Sequence, residues 1–380
     1  MPMETQYIVA QASNTKKNKK SGQPSTLSRD LQRLHESTHN LIKLSIMAKE
    51  DDNPTSVKEM MATMQKSSDG TNIIKEYKKT FSSPDGSDKK GDVIVDTPAE
   101  GLALLKQLVH AKKESIKKES KRKIWDFRTS PHEHFGKTLD DTFMTFVLWA
   151  KLKASDKDNA GIEGETAQPK LNVSKALRRL ETYAEWMEET GEDLVDPPLS
   201  PTSIKKALDA WHMNASTDPE DGCFLWWCDM SKIDREYLKK EIPPEESLRA
   251  LVWYSHYVMY SESAQKNGMK FLQNMDNIGL IASLTFIPAK LGAKLDRFTI
   301  GVLPVKMKGM YMIECPGWIK LFMNVIRIFM SKKMKQRIVI LKDWDEVAGY
   351  VGGDESIPKG WGKLEGSLED DPVDQQYFSN

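Results

Sequence analysis

Between Trp318 and Met330 the chain reads WIKLFMNVIRIFM, and this run limits what the rest of the sequence can build around it. Its only polar side chains, Lys320, Asn324 and Arg327, are spaced four and then three apart, so on a helix they share one narrow stripe. Every other direction presents Trp318, Ile319, Leu321, Phe322, Met323, Val325, Ile326, Ile328, Phe329 or Met330. A helix on the surface of an ordinary domain needs a much narrower apolar face. Three surroundings accept such a segment: the middle of a core, a bilayer, or one wall of a cavity that holds an apolar molecule. A run of this length at ~1.5 Å per residue reaches ~20 Å, short of the ~30 Å hydrocarbon thickness of a bilayer. Lys320 and Arg327 would also be costly in its middle. The helix is therefore buried, or it moves between a cavity and an interface.

Its flanks are distinctive. Cys315-Pro316-Gly317 breaks the chain just before it, and SKKMKQR follows, carrying Lys332, Lys333, Lys335 and Arg337. Cations at a C-terminal end complement the helix dipole. The same cations would hold that end against anionic phosphate head groups, at about 1 kcal/mol each near such a surface.

The 380 residues carry a formal net charge of zero, so no overall field points to nucleic acid and the charges sit in local blocks. Three cysteines argue against a disulfide framework and fit a reducing compartment. In CFLWWC, read as a strand, Cys223 and Cys228 point to opposite faces and share neither a metal nor a bridge. The stretch MPMETQYIVAQASNTKKNKK lacks the apolar centre of a signal peptide, and no uncharged run of 18 residues occurs. The expectation is a cytoplasmic protein that meets membranes only peripherally.

Residues 1–123 are poor in aromatics, rich in Lys, Ser, Asp and Gly, and read as a mobile polar and basic tail with helical patches. One patch runs from Ser28 to Met47, and another runs from Glu100 into the basic end KKESIKKESKRK. The first contains His35-Glu36-Ser37-Thr38-His39, the HExxH spacing that puts two imidazoles on one helix face, with Glu59 as a conceivable third ligand. A zinc hydrolase needs a sheet and a cleft before that helix, and only polar sequence precedes it, so no metal site is expected. His132-Glu133-His134 reads as a surface loop.

From Trp125 the composition becomes that of a folded domain. TFMTFVLWAKL and NVSKALRRLETYAEWME read as amphipathic helices separated by a polar insertion at 155–170. In the second, Val173, Ala176, Leu177, Leu180, Tyr183, Ala184 and Met187 form one stripe. Asp196-Pro197-Pro198 marks a boundary between a helical module at 124–195 and a larger domain at 196–363, with an acidic tail at 364–380. Past that boundary a helix near Thr202 to Met213 precedes a strand at Cys223 to Cys228, and a helix at Glu245 to Ser263 precedes a strand at Met269 to Met275. A helix near Ser283 to Lys294 is expected next. Strands at Gly309 to Glu314 and Ile338 to Leu341 bracket the apolar helix. Strand and helix in that alternation predict an α/β fold with a mostly parallel sheet, right-handed crossovers and both faces covered.

With the parts in that order, residues 139–362 resemble the CRAL-TRIO lipid-binding family, which includes phosphatidylinositol, tocopherol and retinoid transfer proteins. FVLWAKLK followed by KLNVSKALRRLETYAEWM is similar to the family's N-terminal helical module, and FLQNMDNIGL to the strand that closes in Asp-x-x-Gly at Asp276 and Gly279. VLPVKMKGMYMIECPGWIKLFMNVIRIFMSKKMKQRIVIL resembles its succession of strand, proline turn, gate helix and basic strand entry, the most specific of these matches.

The resemblance implies a sheet floor and helices around an apolar pocket, closed by the 318–330 helix as a movable gate. It makes Phe271, Tyr311, Ile313, Trp318, Phe322, Ile326 and Phe329 candidate lining residues. Lys151, Lys332, Lys333, Lys335 and Arg337 become candidate contacts for a head group or membrane. The chain departs from the family at Leu303-Pro304-Val305-Lys306, where Tyr-Pro-Glu-Arg is usual, so Val305 replaces the acid used near an inositol head group; Ala150 replaces an expected Arg. The expected function is non-enzymatic and needs no cofactor: sequestering a phospholipid or an isoprenoid and exchanging it at anionic membranes. The alternatives are a CRAL-TRIO scaffold without transfer, with protein partners on the N-terminal tail, and, more remotely, the zinc hydrolase at His35, Glu36 and His39.

Overall fold

The structure is a computed structural model and describes residues 91–119, 127, 130–152, 170–190, 194, 199–276, 278, 294–295, 297–317, 319–320, 323–324, 327, 332–358 and 361. The HExxH segment, the 155–169 insertion, Asp196-Pro197-Pro198, most of the expected 283–294 helix and the acidic tail lie outside the described residues.

The described chain begins with a short strand, β1 (Ile94–Val95), and a helix, α1 (Pro98–Glu119). Then come α2 (Leu139–Trp149), β2 (Leu171–Asn172) and α3 (Val173–Glu189). Each helix start has a local cause. Thr138 and Asp141 close a capping box on α2, and the Asn172 side chain accepts from Lys175 N at 2.8 Å to cap α3. β1 and β2 pair antiparallel, with Ile94 opposite Asn172.

Residues 92–109, expected within a mobile tail, are packed against the helical module. Leu105 and Val109, one helical turn apart, are buried against the core of the helical module, and Asp92 is ion-paired to Arg178 at 2.9 Å. The expected boundary at 123 thus cuts into a three-helix module made of α1, α2 and α3. The apolar stripe of α3 is buried as its periodicity predicts, apart from a half-buried Leu177.

A second set of elements follows: α4 (Pro201–Ala210), β3 (Met213–Thr217), β4 (Phe224–Asp229), α5 (Arg235–Glu241), α6 (Pro244–Tyr260), α7 (Glu262–Asn267) and β5 (Met269–Asn274). Next come a π-helical turn at Arg297–Val302, β6 (Met307–Ile313), α8 (Lys332–Arg337), β7 (Ile338–Leu341) and α9 (Ala348–Val351). Pro201 and Pro244 occupy the first turns of α4 and α6, where a missing N–H costs nothing.

The five strands lie in the order β3-β4-β5-β6-β7; β3 pairs antiparallel with β4 and every later pair is parallel. A monotonic parallel order joined by crossovers of one hand puts every connection on the same face of the sheet. Accordingly Trp253, Val258, Phe298, Ile319, Met323 and Met334, from three successive connections, share one apolar core with Phe224, Trp226, Met312 and Ile338. The other face is closed by the segment after β7, through Trp344, Val347, Val351, Ile357 and Trp361.

The helical module is fastened to the sheet domain by buried polar bonds as well as by that shared core. Arg179 on α3, 6% exposed, donates to the carbonyls of Ile300 at 3.1 Å and Leu303 at 2.9 Å, and also to Gly301 O. These three carbonyls are freed by the π-helical turn, and a single guanidinium fork collects them. Tyr183 Oη lies 2.8 Å from His256 Nε2 and 3.1 Å from Ser130 Oγ, and Thr142 Oγ1 lies 2.8 Å from Tyr260 Oη. His256 Nδ1 is 2.7 Å from Val252 O, and burial pushes the imidazole down from 6.5 to about 4, so it is neutral at neutral pH.

Candidate functional site

Strand residues alternate between the two faces, and the pairing register makes each assignment definite. Trp226 is opposite Phe271, which is opposite Met310, which is opposite Ile338; Trp227, Leu272, Tyr311 and Val339 form the adjacent row on the other face. The two apolar clusters keep to this division.

The face turned away from the crossovers is filled. Trp227 meets Trp361 edge-on at 5.5 Å, Tyr311 packs on Tyr350 at 4.9 Å, and Ile313 has no exposed surface. This corrects two of the expected lining residues. Tyr311 and Ile313 belong to a closed core and are separated by the sheet from Phe271. The alternation of strand side chains imposes the separation, because 271 and 311 lie in adjacent rows rather than in one.

The face turned toward the crossovers is covered unevenly. Met269 and Met312 are buried, whereas Phe271, Met310 and Ile340 are half-buried, as are Met230 and Met275 at the ends of β4 and β5. Above this face Ile319 and Met323, one turn apart and both buried, come from the helix that follows Pro316. Lys320 and Asn324 on that helix are exposed, and Arg327 donates to Ile338 O at 3.2 Å. Of the polar stripe predicted from sequence, Lys320 and Asn324 thus face water while Arg327 reaches back to the start of β7, and Ile319 and Met323 face the core. Trp318, Phe322, Ile326 and Phe329 lie outside the described residues. At the end of β6, Glu314 takes φ 52°, a left-handed conformation uncommon for a residue with a side chain, and turns the strand into Cys315-Pro316.

Two polar clusters mark the ends of the sheet. At its entry end Lys270 bonds Asp218, Asp221 Oδ2 at 2.9 Å and Tyr350 O at 2.9 Å. Burial alone would lower the Lys270 amine, but its bonds to Asp218 and Asp221 outweigh this and hold it above its ordinary value. At the exit end the buried Asp229 accepts from Ser231 Oγ at 2.6 Å and Asn274 Nδ2 at 2.9 Å, with Lys232 Nζ 3.7 Å away. Val305, in the position where an acid was expected for an inositol head group, is buried among apolar side chains.

Of the expected cations, Lys332 and Lys335 are exposed on α8 and Arg337 is half-buried at its end; the Lys333 side chain lies outside the described residues. The buried Met334 fixes α8 against the core between these cations, so its charged side is turned outward. Lys151 is half-buried at an antiparallel bridge to Leu171 in the helical module, and among the described residues no contact joins it to Arg337. Cys228 is opposite Gln273 in the ladder of β4, Cys223 precedes that strand, and all three cysteines are free thiols. Among the described residues no helix is long and apolar enough to cross a membrane, and no group of three or more His, Cys, Asp or Glu is placed to hold a metal ion.

Sequence reasoning missed the polar residue set into the crossover-side face. Met269, Phe271 and Gln273 alternate toward it, and the Gln273 amide there is half-buried. The signal was available as one polar side chain at the third position of an otherwise apolar i, i+2 series.

Residues 217–362 match the CRAL/TRIO domain, a span that begins at the last residue of β3 and ends just past Trp361. No curated protein matches the chain. Among solved structures, the crystal structure of Sfh5 is similar at 11% identity with a TM-score of 0.37, covering 53% of this chain and 71% of that one. A likeness that loose carries no point of geometry.

Proposed function

With residues 217–362 identified as a CRAL/TRIO domain, a lipid-binding fold, we propose that this protein sequesters one lipid between the sheet and the helix that follows Pro316, and exchanges it at anionic membranes. The observation that carries the reading is the half-buried patch of Phe271 and Met310, which are opposite one another, with Ile340 in the next row of the same face, in a sheet whose other face is closed except for a half-buried Val339 at its edge. A domain that covers one face almost throughout and leaves apolar surface on the other has a place for an apolar guest. Each CH2 exposed to water costs about 0.8 kcal/mol, so a dry site cancels the roughly 13 kcal/mol that a sixteen-carbon chain would otherwise lose on leaving a monolayer.

Exchange requires that the helix move, and its surroundings suit this. Lys320 and Asn324 on it are already in water, the Arg327 bond to Ile338 O is the polar tie that has to break, and Lys332 and Lys335 stand at its C-terminal side, where an anionic surface attracts them. The ligand is a phospholipid or an isoprenoid. Phosphatidylinositol would have to bind without the acidic side chain that Val305 replaces.

Organic extraction of the purified protein followed by lipid identification tests the reading, together with transfer of a fluorescent phospholipid between vesicles. A stoichiometric lipid and protein-dependent transfer are expected. An empty protein that neither takes up nor moves lipid defeats the proposal, and lipid uptake without transfer reduces it to a binding or scaffold module.

A further inference from the structure

Trp226 and Trp227 are neighbours on β4 and point to opposite faces, and their indole groups fare differently. Trp227 Nε1 donates to Ser216 Oγ at 3.0 Å within the closed core. Trp226, 2% exposed, stacks on Tyr254 at 5.1 Å and packs against Phe271 at 4.9 Å, and its Nε1 meets no hydrogen-bond acceptor among the described residues. An indole N–H can only donate, and buried donors in folded proteins are nearly always paired. The unmet donor lies on the crossover-side face, beside the half-buried Phe271.

The same face holds a second polar group. Gln273 is in register with Cys228 and Met312, one diagonal step from Trp226, a spacing of ~7–8 Å that long side chains bridge. Its side-chain amide makes no hydrogen bond among the described residues and keeps part of its surface uncovered. The Trp226 ring packs in the core, but neither its N–H nor the Gln273 amide has a partner among the described residues.

We infer that the bound lipid brings an acyl ester carbonyl against this face, with the Trp226 indole N–H as its principal donor and the Gln273 amide as a second. The inference rests on the lipid-binding reading above and specifies the chemistry of the guest. An ester carbonyl accepts twice and donates nothing. It therefore takes both N–H groups without introducing a donor that the surrounding thioether and phenyl side chains would leave unmet. A hydrocarbon or ether-linked lipid fills the same space and leaves Trp226 Nε1 unsatisfied.

A matched pair of probes separates the two cases. Protein stripped of lipid is offered vesicles containing equal amounts of dipalmitoyl phosphatidylcholine and its dihexadecyl ether analogue, which has the same head and chain length but no carbonyl. The retained lipids are quantified by mass spectrometry. The wild type is expected to favour the diacyl form by roughly five- to thirtyfold, the range for one or two net hydrogen bonds. Trp226→Phe, which keeps a ring against Tyr254 and Phe271 but has no N–H, is expected to bring the ratio close to one, and Gln273→Leu to lower it in part. Equal retention of both lipids by the wild type, or an unchanged ratio in Trp226→Phe, overturns the inference and leaves lipid binding standing. Retention of neither lipid also overturns it, and extraction of endogenous lipid then decides separately whether the broader reading falls. Should Trp226→Phe not fold, Gln273→Leu at its half-exposed position carries the comparison, and an unchanged ratio there counts against the inference.

Discussion

Replacing Ile313 by Ala deletes about three carbon atoms from a side chain that has no exposed surface, in a core shared with Leu225, Trp227, Leu272, Leu341 and Trp344. At about 0.8 kcal/mol for each lost CH2, the transfer contribution is about 2.4 kcal/mol, and the cavity left among those indole and aliphatic groups raises the total to about 3–4 kcal/mol. For a body of this size that corresponds to a fall in melting temperature of roughly 6–15 °C. Lipid retention at temperatures well below the transition is expected to stay unchanged, because Ile313 is on the far side of the sheet from the guest. Phe271→Ala is the matched control. Phe271 is half-buried, so its truncation is expected to cost less stability, about 2 kcal/mol, and to cut lipid retention severalfold. Near-ultraviolet circular dichroism during heating reads the first quantity, and native mass spectrometry of lipid-loaded protein reads the second. If Ile313→Ala melts within about 1 °C of wild type yet loses its lipid, the assignment of the two faces is wrong.

Three further outcomes are expected. Arg179→Met leaves the carbonyls of Ile300, Gly301 and Leu303 without their shared donor, at about 3 kcal/mol, and amide exchange around the π-helical turn should accelerate; unchanged protection there would show that the fork holds nothing. The double variant Lys332→Ala with Lys335→Ala is expected to weaken binding to anionic vesicles by about thirtyfold, near 1 kcal/mol for each cation, with neutral vesicles unaffected. An equal loss on both kinds of vesicle would sink the electrostatic role. His256 is held down at about 4 by burial, against 6.5 when unfolded, so the unfolded chain takes up the proton first as pH falls. Its contribution is therefore complete above pH 6.5, erodes between 6.5 and 4, and amounts to about 3 kcal/mol in all. Melting curves over that window should be steeper in pH for wild type than for His256→Asn, and parallel curves would refute the assignment.

Much of the architecture could be read before any coordinates. The runs around Phe224, Met269, Tyr311 and Ile338 are short, apolar and separated by helical spacings, which is what a parallel sheet covered on both sides requires. Strand β3 escaped because MNAST has no apolar alternation of its own; it is an edge strand whose place is set by pairing with β4. The role of α1 was obscured by its lysine-rich second half, although Leu105 and Val109 alone suffice to anchor it. The lining of the site was only partly legible for a different reason. Whether Phe271 shares a face with Tyr311 depends on inter-strand register, and a shift of one residue reverses every assignment without altering the sequence pattern of either strand. The unmet indole of Trp226 is invisible in sequence altogether, since a tryptophan reads the same whether or not its nitrogen finds an acceptor.

The passage from β6 to the apolar helix has little torsional slack. Glu314 already sits in the left-handed basin, Cys315 is confined by the ring that follows it, and Pro316 cannot rotate about its own N–Cα bond. Gly317, where an added Cβ would meet nothing within 4 Å, is the first helical residue. The movement that the proposed exchange requires therefore draws on only a few bonds between the end of β6 and the first turn of the helix.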